Sequence, residues 1–255
     1  MKNKAIIIGG SSGIGFALAK LLIKKNYHLI LVSKNKKKLV KAKNQLLKRT
    51  SNKIETFNFN LSKDMDFKKF IKIIGKKKIK INFVFNSIGV GAYEDFIFFN
   101  EYNNSKMIET NLNLFLKINK FFSKHMMSHG QKSYIVNIGS LAGFVPNINN
   151  LVYASCKKFI EVFTIGLRER LKNTNISVSL LVPGQVNTNF LKKSGFKKSN
   201  LSSMKPEEVA SYSLNKILNG KKIIIPGIFN YFSYLIFKIL PREIVYFIYK
   251  ILHKS

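Results

Sequence analysis

Three side chains near the middle of the chain are of types that move protons. Tyr153 and Lys157, in Tyr153-Ala154-Ser155-Cys156-Lys157, stand four apart, and on a helix that spacing puts both on one face. A tyrosine pKa near 10 is too high for efficient proton exchange at neutral pH, and lowering it by about 3 units takes about 4 kcal/mol. One cation at about 4 Å, in an effective dielectric near 20, supplies about that much. Lys157 is the cation at hand. Alone, the pattern is common and marks a solvated helix face. Ser140 changes its weight: it follows an apolar β-type run, and in open α/β sheets ligands bind at the carboxyl ends of strands. Negative charge growing on a substrate oxygen there calls for a proton donor beside it and a hydroxyl to hold it.

A second constellation lies near the start. Ile8-Gly9-Gly10-Ser11-Ser12-Gly13-Ile14-Gly15 joins an apolar run at 4–8 to a helical pattern at 13–25. Glycines allow a tight turn and close backbone approach to a pyrophosphate, and the helix N-terminus adds free N–H groups and a positive dipole end. Placed between strand and helix, the loop reads as a dinucleotide site, with Gly9, Ser11, Ser12, Gly13, Ile14 and Gly15 as its contacts. Its spacing is Gly-x-x-x-Gly-x-Gly rather than Gly-x-Gly-x-x-Gly.

These residues need a scaffold, and the hydrophobic pattern predicts one. Strands are expected at 4–8, 28–33, 53–59, 81–86, 134–139, 176–182 and 222–225. Helices are expected at 13–25, 34–48, 64–75, 101–129, 151–172 and 206–219. Strands alternating with helices imply a doubly wound parallel sheet with helices on both faces, an α/β fold. A chain of 255 residues suits one domain. We expect residues 1–227 to form the binding and catalytic body, and 228–255 an apolar helical extension of it.

Taken together the motifs resemble the short-chain dehydrogenase/reductase family, in its broad-specificity branch with a short C-terminal extension. The glycine loop is similar to the family's. Asn86-Ser87-Ile88-Gly89 resembles its Asn-Asn-Ala-Gly, and Ser140 precedes Tyr153 by the family's thirteen residues. Pro183-Gly184-Gln185-Val186-Asn187-Thr188 resembles its Pro-Gly motif. Ile225-Pro226-Gly227 and Leu240-Pro241-Arg242 resemble the tail of that branch. The resemblance implies a Rossmann-like fold and hydride transfer between a nicotinamide cofactor and a carbonyl or alcohol. Tyr153 would be the acid/base, Lys157 would also bond the nicotinamide ribose, Ser140 would hold the substrate oxygen, and Asn111 would hold a water linking Lys157 to solvent. Asn86, Gly89, Pro183, Gly184, Val186 and Thr188 would line the cofactor, residues 190–204 would form a substrate lid, and a dimer or tetramer is expected. Ile8 stands where the family usually has Thr, and Ser87 and Ile88 replace Asn and Ala, which loosens the bracing of the loop without removing a catalytic group.

The cofactor choice is read at the end of the second strand. An NAD site usually has an acid there, bonded to the ribose 2′-hydroxyl. Here the residues are Val32-Ser33-Lys34, with no carboxylate to repel a 2′-phosphate. Ser33 can donate to it, and Lys34 and the following lysines add positive charge, so NADP is expected over NAD. Asn60 stands where the family often has Asp near the adenine, with Leu61 beside it, and its amide can still accept that bond.

The rest of the composition is less directive. The chain has 44 Lys and Arg against 12 Asp and Glu, a formal net charge of +32. All but Arg49, Arg168, Arg170 and Arg242 of the basic residues are lysine. Base-reading surfaces favour the arginine fork, so specific nucleic-acid binding is not expected. Lys, Asn, Ile, Phe and Tyr share A/T-rich codons, so genome bias is the simpler cause of the charge, and attraction to anionic lipid at low salt stays open. Cys156 is the single cysteine and reads as a filler. His125 and His129 share a helix face but lack a third ligand, so no metal is expected. Phe96-Ile97-Phe98-Phe99 reads equally as pocket lining, core or interface. No secretory segment is apparent, and the expected compartment is the cytoplasm. Residues 228–252 are too interrupted to span a membrane and predict two short apolar helices turning at Pro241. They either lie on a membrane surface or pack over the cleft or a subunit. A substrate of hydrophobic character is a weak hint from this tail. The rival readings are a non-catalytic NADP-binding sensor, a membrane-surface lipid carbonyl reductase, and a charge-driven lipid or nucleic-acid binder.

Overall fold

The structure, a computed structural model, describes residues 3–48, 50–76, 79–93, 95–98, 100–145, 148–195 and 203–252. Apolar runs with no polar alternation must be buried on both faces, and they form the strands of one parallel sheet. These are β1 (Lys4–Ile8), β2 (His28–Ser33), β3 (Ile54–Asn58), β4 (Phe83–Asn86), β5 (Ser133–Ile138), β6 (Ile176–Leu181) and β7 (Ile223–Ile224). Their order is β3-β2-β1-β4-β5-β6-β7. The winding reverses between β1 and β4, where a crevice opens at the carboxyl edge.

Alternate residues of the strands feed two large cores on opposite faces, and a third, smaller cluster of Phe115, Ile160, Leu180, Val182, Ile225 and Tyr234 lies beside them. On one face Ile7, Leu31 and Phe85 pack against α1 (Gly13–Lys24), α2 (Lys36–Leu47) and α8 (Pro206–Leu218). On the other, Ile6, Ile8 and Val84 pack against α3 (Asp64–Lys76) and α5 (Leu114–His129). Phe122 of α5 is fully buried there, and truncating such a ring costs about 3–5 kcal/mol. α2 begins two residues later than expected because Asn35 caps it, its side chain accepting from Lys38 N at 2.9 Å.

The single helix expected over 101–129 is interrupted. α4 (Glu101–Ile108) gives way to a π-helical turn, Glu109–Asn113, before α5 begins. α6 (Leu151–Arg170) carries the Tyr-x-x-x-Lys pair, and a short α7 (Asn189–Lys193) follows the Pro-Gly motif. The tail forms α9 (Ile228–Ile239) and α10 (Arg242–Leu252), with the break at Leu240-Pro241. No described helix is long and apolar enough to cross a membrane.

Candidate active site

The glycine loop is shaped by two left-handed backbones. Gly9 has φ of 85°, and a Cβ there would stand 2.7 Å from the Ser87 carbonyl oxygen, so only glycine lets β1 and β4 close together. Gly13 has φ of 57°, with Thr188 Cγ2 3.3 Å from where its Cβ would be, so the loop and the Pro-Gly segment meet there. Ser12 takes the N-cap position of α1 without a side-chain capping bond. The first-turn N–H groups, including those of Ile14 and Gly15, lack intrahelical acceptors and suit an anion. Asn86 ends β4 buried, and its Nδ2 has no partner among the described residues. A buried amide left so is costly, and a ligand oxygen beside it would satisfy it. The cradle and this orphaned donor fit a dinucleotide.

At the end of β2, Ser11 donates to Ser33 Oγ at 2.9 Å, and Asn35 N donates to the same oxygen at 3.3 Å. Ser33 therefore spends its lone pairs inward and keeps its own proton to give. Lys34 beside it is exposed. Further along, Asp66 accepts from Asn60 N at 2.9 Å, and Leu61 is buried.

The proton-moving residues converge at the carboxyl edge between β4 and β5. Ser140 caps the short turn Leu141–Phe144, accepting from Ala142 N at 3.2 Å, and also hydrogen-bonds Tyr153. Lys157 donates to the Ile138 carbonyl at 3.0 Å. A Cβ on Gly89 would lie 3.7 Å from Lys157 Nζ and 3.5 Å from Asn111 Oδ1, so these three share one small space. Asn111 sits in the π turn and clasps the Val90 peptide from both sides: Nδ2 donates to its carbonyl at 2.8 Å, and Oδ1 accepts from its N–H at 3.0 Å. Cys156 is buried against Asn111, and burial pushes its thiol pKa up.

The electrostatics differ from the expectation for Tyr153. Burial pushes its phenol up to about 12, only partly opposed by the Ser140 bond. Burial pushes the Lys157 ammonium down to about 8. Lys157 Nζ lies 5.5 Å from the Tyr153 ring centre and is turned to the Ile138 carbonyl. The lowering expected of a cation at about 4 Å is not realised: desolvation dominates the Tyr153 shift, and it is the Ser140 bond that opposes it.

Several neighbours carried no signal in the sequence. Phe190 of α7 lies over Tyr153, ring centres 5.8 Å apart, and only its place just after Thr188 could have marked it. The Tyr93 hydroxyl accepts from Asn149 at 3.0 Å, and Tyr93 N donates to the Ser194 carbonyl at 2.8 Å, which ties three loops together over the site. Gly184 rests against the Asn230 side chain of α9, and Leu141 N donates to the Pro183 carbonyl at 3.1 Å. Val186 pairs with Met204 in a single parallel bridge. The expected lid is described at 190–195 and 203–204; the rest of it, and Phe99, lie outside the described residues. Phe96 lines a small cleft with Tyr153, while Ile97 and Phe98 are exposed, so this run is not core. His125 and His129 bracket the Ile81 peptide, at 3.3 Å to its N–H and 3.1 Å to its carbonyl. A shallow hollow along the outer face of α2, past Lys37, Val40 and Asn44, touches none of the proton-moving residues.

A parallel sheet with a glycine cradle at its switch point and a Ser-Tyr-Lys cluster beside it defines a dinucleotide-dependent oxidoreductase. The chain matches the family model "short chain dehydrogenase" over residues 3–199 and belongs to that family. It is an oxidoreductase and acts with a nicotinamide cofactor, as the family does. It is 29% identical to carbonyl reductase family member 4 of Danio rerio over 74% of this chain and 77% of that protein. It is 28% identical to an uncharacterized oxidoreductase of Staphylococcus epidermidis, over 72% and 78%. Among solved structures, a short-chain dehydrogenase from Sphingobium yanoikuyae in complex with NADPH superposes with TM-score 0.82 at 22% identity, covering 89% of this chain and 88% of that one. One from Burkholderia phymatum in complex with NAD gives 0.83 at 18%, covering 92% of each. At these identities the structures speak for the fold alone.

Proposed function

We propose that this enzyme reduces a carbonyl to an alcohol with NADPH, Tyr153 supplying the proton. The observation that carries the reading is the cluster itself: Tyr153 bonded to Ser140, with Lys157 beside Gly89 and Asn111, at the carboxyl ends of β4 and β5. The bound nicotinamide would supply the hydride. Tyr153, kept protonated by burial, stands ready as the donor. Ser140 orients the oxygen that receives the proton. Lys157, held by Ile138, presents a cation for the ribose hydroxyls, and Asn111 fixes the neighbouring Val90 peptide. Proton transfer from a placed side chain contributes about 10²–10⁴-fold in rate.

NADPH is favoured over NADH by the free proton of Ser33, the exposed Lys34 and the lack of an acid beside them. A charged hydrogen bond to the 2′-phosphate contributes about 1.5–3 kcal/mol, roughly 10- to 100-fold in affinity. Residues 1–227 form the catalytic body in this reading, with 228–255 as its extension. Exposed Met127, Phe159 and Val162 on α5 and α6 favour self-association. The free thiol of Cys156 suits a reducing compartment, the cytoplasm.

The test is NADPH oxidation by purified protein given the cell's own small-molecule and lipid extract, beside Tyr153→Phe and with NADH as control. Turnover by wild type, lost in the variant while NADPH binding persists, supports the reading. Tight NADPH binding with no turnover on any fraction, in either direction, overturns it in favour of a sensor.

A further inference from the structure

α9 reverses the usual rule for a surface helix, which hides its apolar stripe and shows its polar one. Its inner side is held by buried Asn230 and Tyr234. Asn230 donates to the Pro226 carbonyl at 2.7 Å, and Tyr234 packs edge-on against Phe144 with ring centres 4.9 Å apart. The side turned to water carries Ile228, Phe229, Phe232, Ile236 and Ile239, exposed by 64, 71, 55, 45 and 77%. At about 100° per residue these five share one arc, and Tyr231 and Lys238 border it. α10 adds Ile244, Phe247 and Ile251, three and four residues apart and 44, 64 and 56% exposed, while Val245 on its other side is buried. At about 150–250 Å² for a large side chain, the exposed fractions of the α9 arc alone amount to roughly 600 Å² of apolar surface. The largest patch on a typical monomer is about 300–600 Å².

Charge decides what covers this face. Residues 228–255 hold Lys238, Arg242, Lys250 and Lys254 against one acid, Glu243, on a chain of net charge +32. Lys238 and Arg242 are exposed, and Lys238 reaches back over its own helix, Nζ 5.8 Å from the Tyr234 ring. A second copy would bring the same exposed cations, Lys238 and Arg242, to this face. An anionic bilayer brings the opposite charge and an apolar interior. Helices of twelve and eleven residues are too short to span it but long enough to lie in its plane. We propose that α9 and α10 form a docking face for an anionic lipid bilayer. The apolar arc enters the headgroup–acyl boundary, and Lys238 and Arg242 sit among the phosphates. Asn230 touches Gly184, and Tyr234 touches the turn that follows Ser140, so the inner side of the docked helix rests on the catalytic edge of the sheet and its apolar arc faces away from it.

The test is flotation of the full chain with vesicles of phosphatidylcholine alone or mixed with phosphatidylglycerol, at low and high salt. The double variant Phe229→Ser/Phe232→Ser runs alongside. Both rings are exposed, and NADPH binding with an unchanged circular dichroism spectrum checks that the variant is folded. Wild type is expected to float with the anionic vesicles, at least about tenfold better than the variant, and salt is expected to weaken but not abolish the binding. No flotation of wild type would overturn the proposal. So would binding that is equal in the variant and vanishes with salt, since that is charge adsorption without insertion. A wild-type dimer that falls to a monomer in the variant, with no vesicle binding, would assign the face to a second copy and overturn it too. Every readout is independent of carbonyl turnover, so failure here and failure of the reductase reading are distinguishable.

Discussion

Replacing Lys157 with methionine is expected to make the cofactor-free protein more stable while ending turnover. Lys157 is 5% exposed, and burial pushes its ammonium from 10.5 to about 8. At 1.36 kcal/mol per unit, holding that charge inside at pH 7 costs about 3 kcal/mol. Methionine is close in volume and loses only the bond to the Ile138 carbonyl, about 1 kcal/mol. The variant gains about 2 kcal/mol, which is about 4–8 °C in Tm for a chain of this size. The pH dependence identifies the cause. The native pKa lies below the unfolded one, so between pH 8 and 10.5 the unfolded chain holds more protons and wild-type stability rises with pH. The buried-charge cost shrinks to about 1 kcal/mol at pH 10, and the variant's advantage vanishes there. Groups remote from Lys157 titrate equally in both proteins and cancel, whereas Cys156, whose thiol the Lys157 charge lowers, is removed from the comparison by a Cys156→Ser background in both. Urea or thermal melts of both proteins at pH 7, 9 and 10 measure the gap. A variant less stable at pH 7, or a gap indifferent to pH, would refute the reasoning.

Ser33→Asp places an acid beside the 2′-phosphate site and is expected to shift the kcat/KM ratio from NADPH toward NADH by at least tenfold, or about 1.4 kcal/mol; an unchanged ratio would remove Ser33 from cofactor choice. Gly9→Ala forces a side chain into a backbone with φ of 85° and against the Ser87 carbonyl at 2.7 Å. It is expected to cost at least about 1–2 kcal/mol of stability and to weaken NADPH binding measured by fluorescence. Tyr153, with its pKa raised to about 12, stays protonated at neutrality. Carbonyl reduction is therefore expected to be flat through neutrality and to fall as pH nears the Lys157 value of about 8, whereas alcohol oxidation, which needs the phenolate, is expected to gain from its Tyr153 as pH is raised. A pH–rate profile in each direction checks this.

Most of the sheet was legible because its central strands are largely apolar on both faces and bounded by polar turns. Ala5 to Ile8 is fully buried, whereas the edge strand β3, Ile-Glu-Thr-Phe-Asn, is half-buried, and the order of the strands was not read from the sequence. The glycine loop was legible because its residue types are dictated by backbone shape. What could not be read is set by contacts between distant segments. Nothing in residues 101–129 marks the π turn, which accompanies the clasp of Asn111 on Val90, 21 residues away. Phe190 and Asn230 look ordinary in sequence and acquire a place only when α7 lies over Tyr153 and α9 rests on Gly184.

The Tyr153–Lys157 pair shows the same limit in its energetics. Spacing places a cation near a phenol but says nothing of solvent, and solvent decides the sign. Burial raises the tyrosine and lowers the lysine, so it drives each toward its neutral form. The chain's own residues therefore favour a neutral donor, suited to giving a proton to a carbonyl oxygen and poorly suited to taking one from an alcohol. A charge brought into the site by a ligand would act in the same low-dielectric space, where an added cation is felt more strongly than in water. The protonation state of the site at neutral pH thus follows from the burial of two side chains rather than from the four-residue spacing that first draws attention to them.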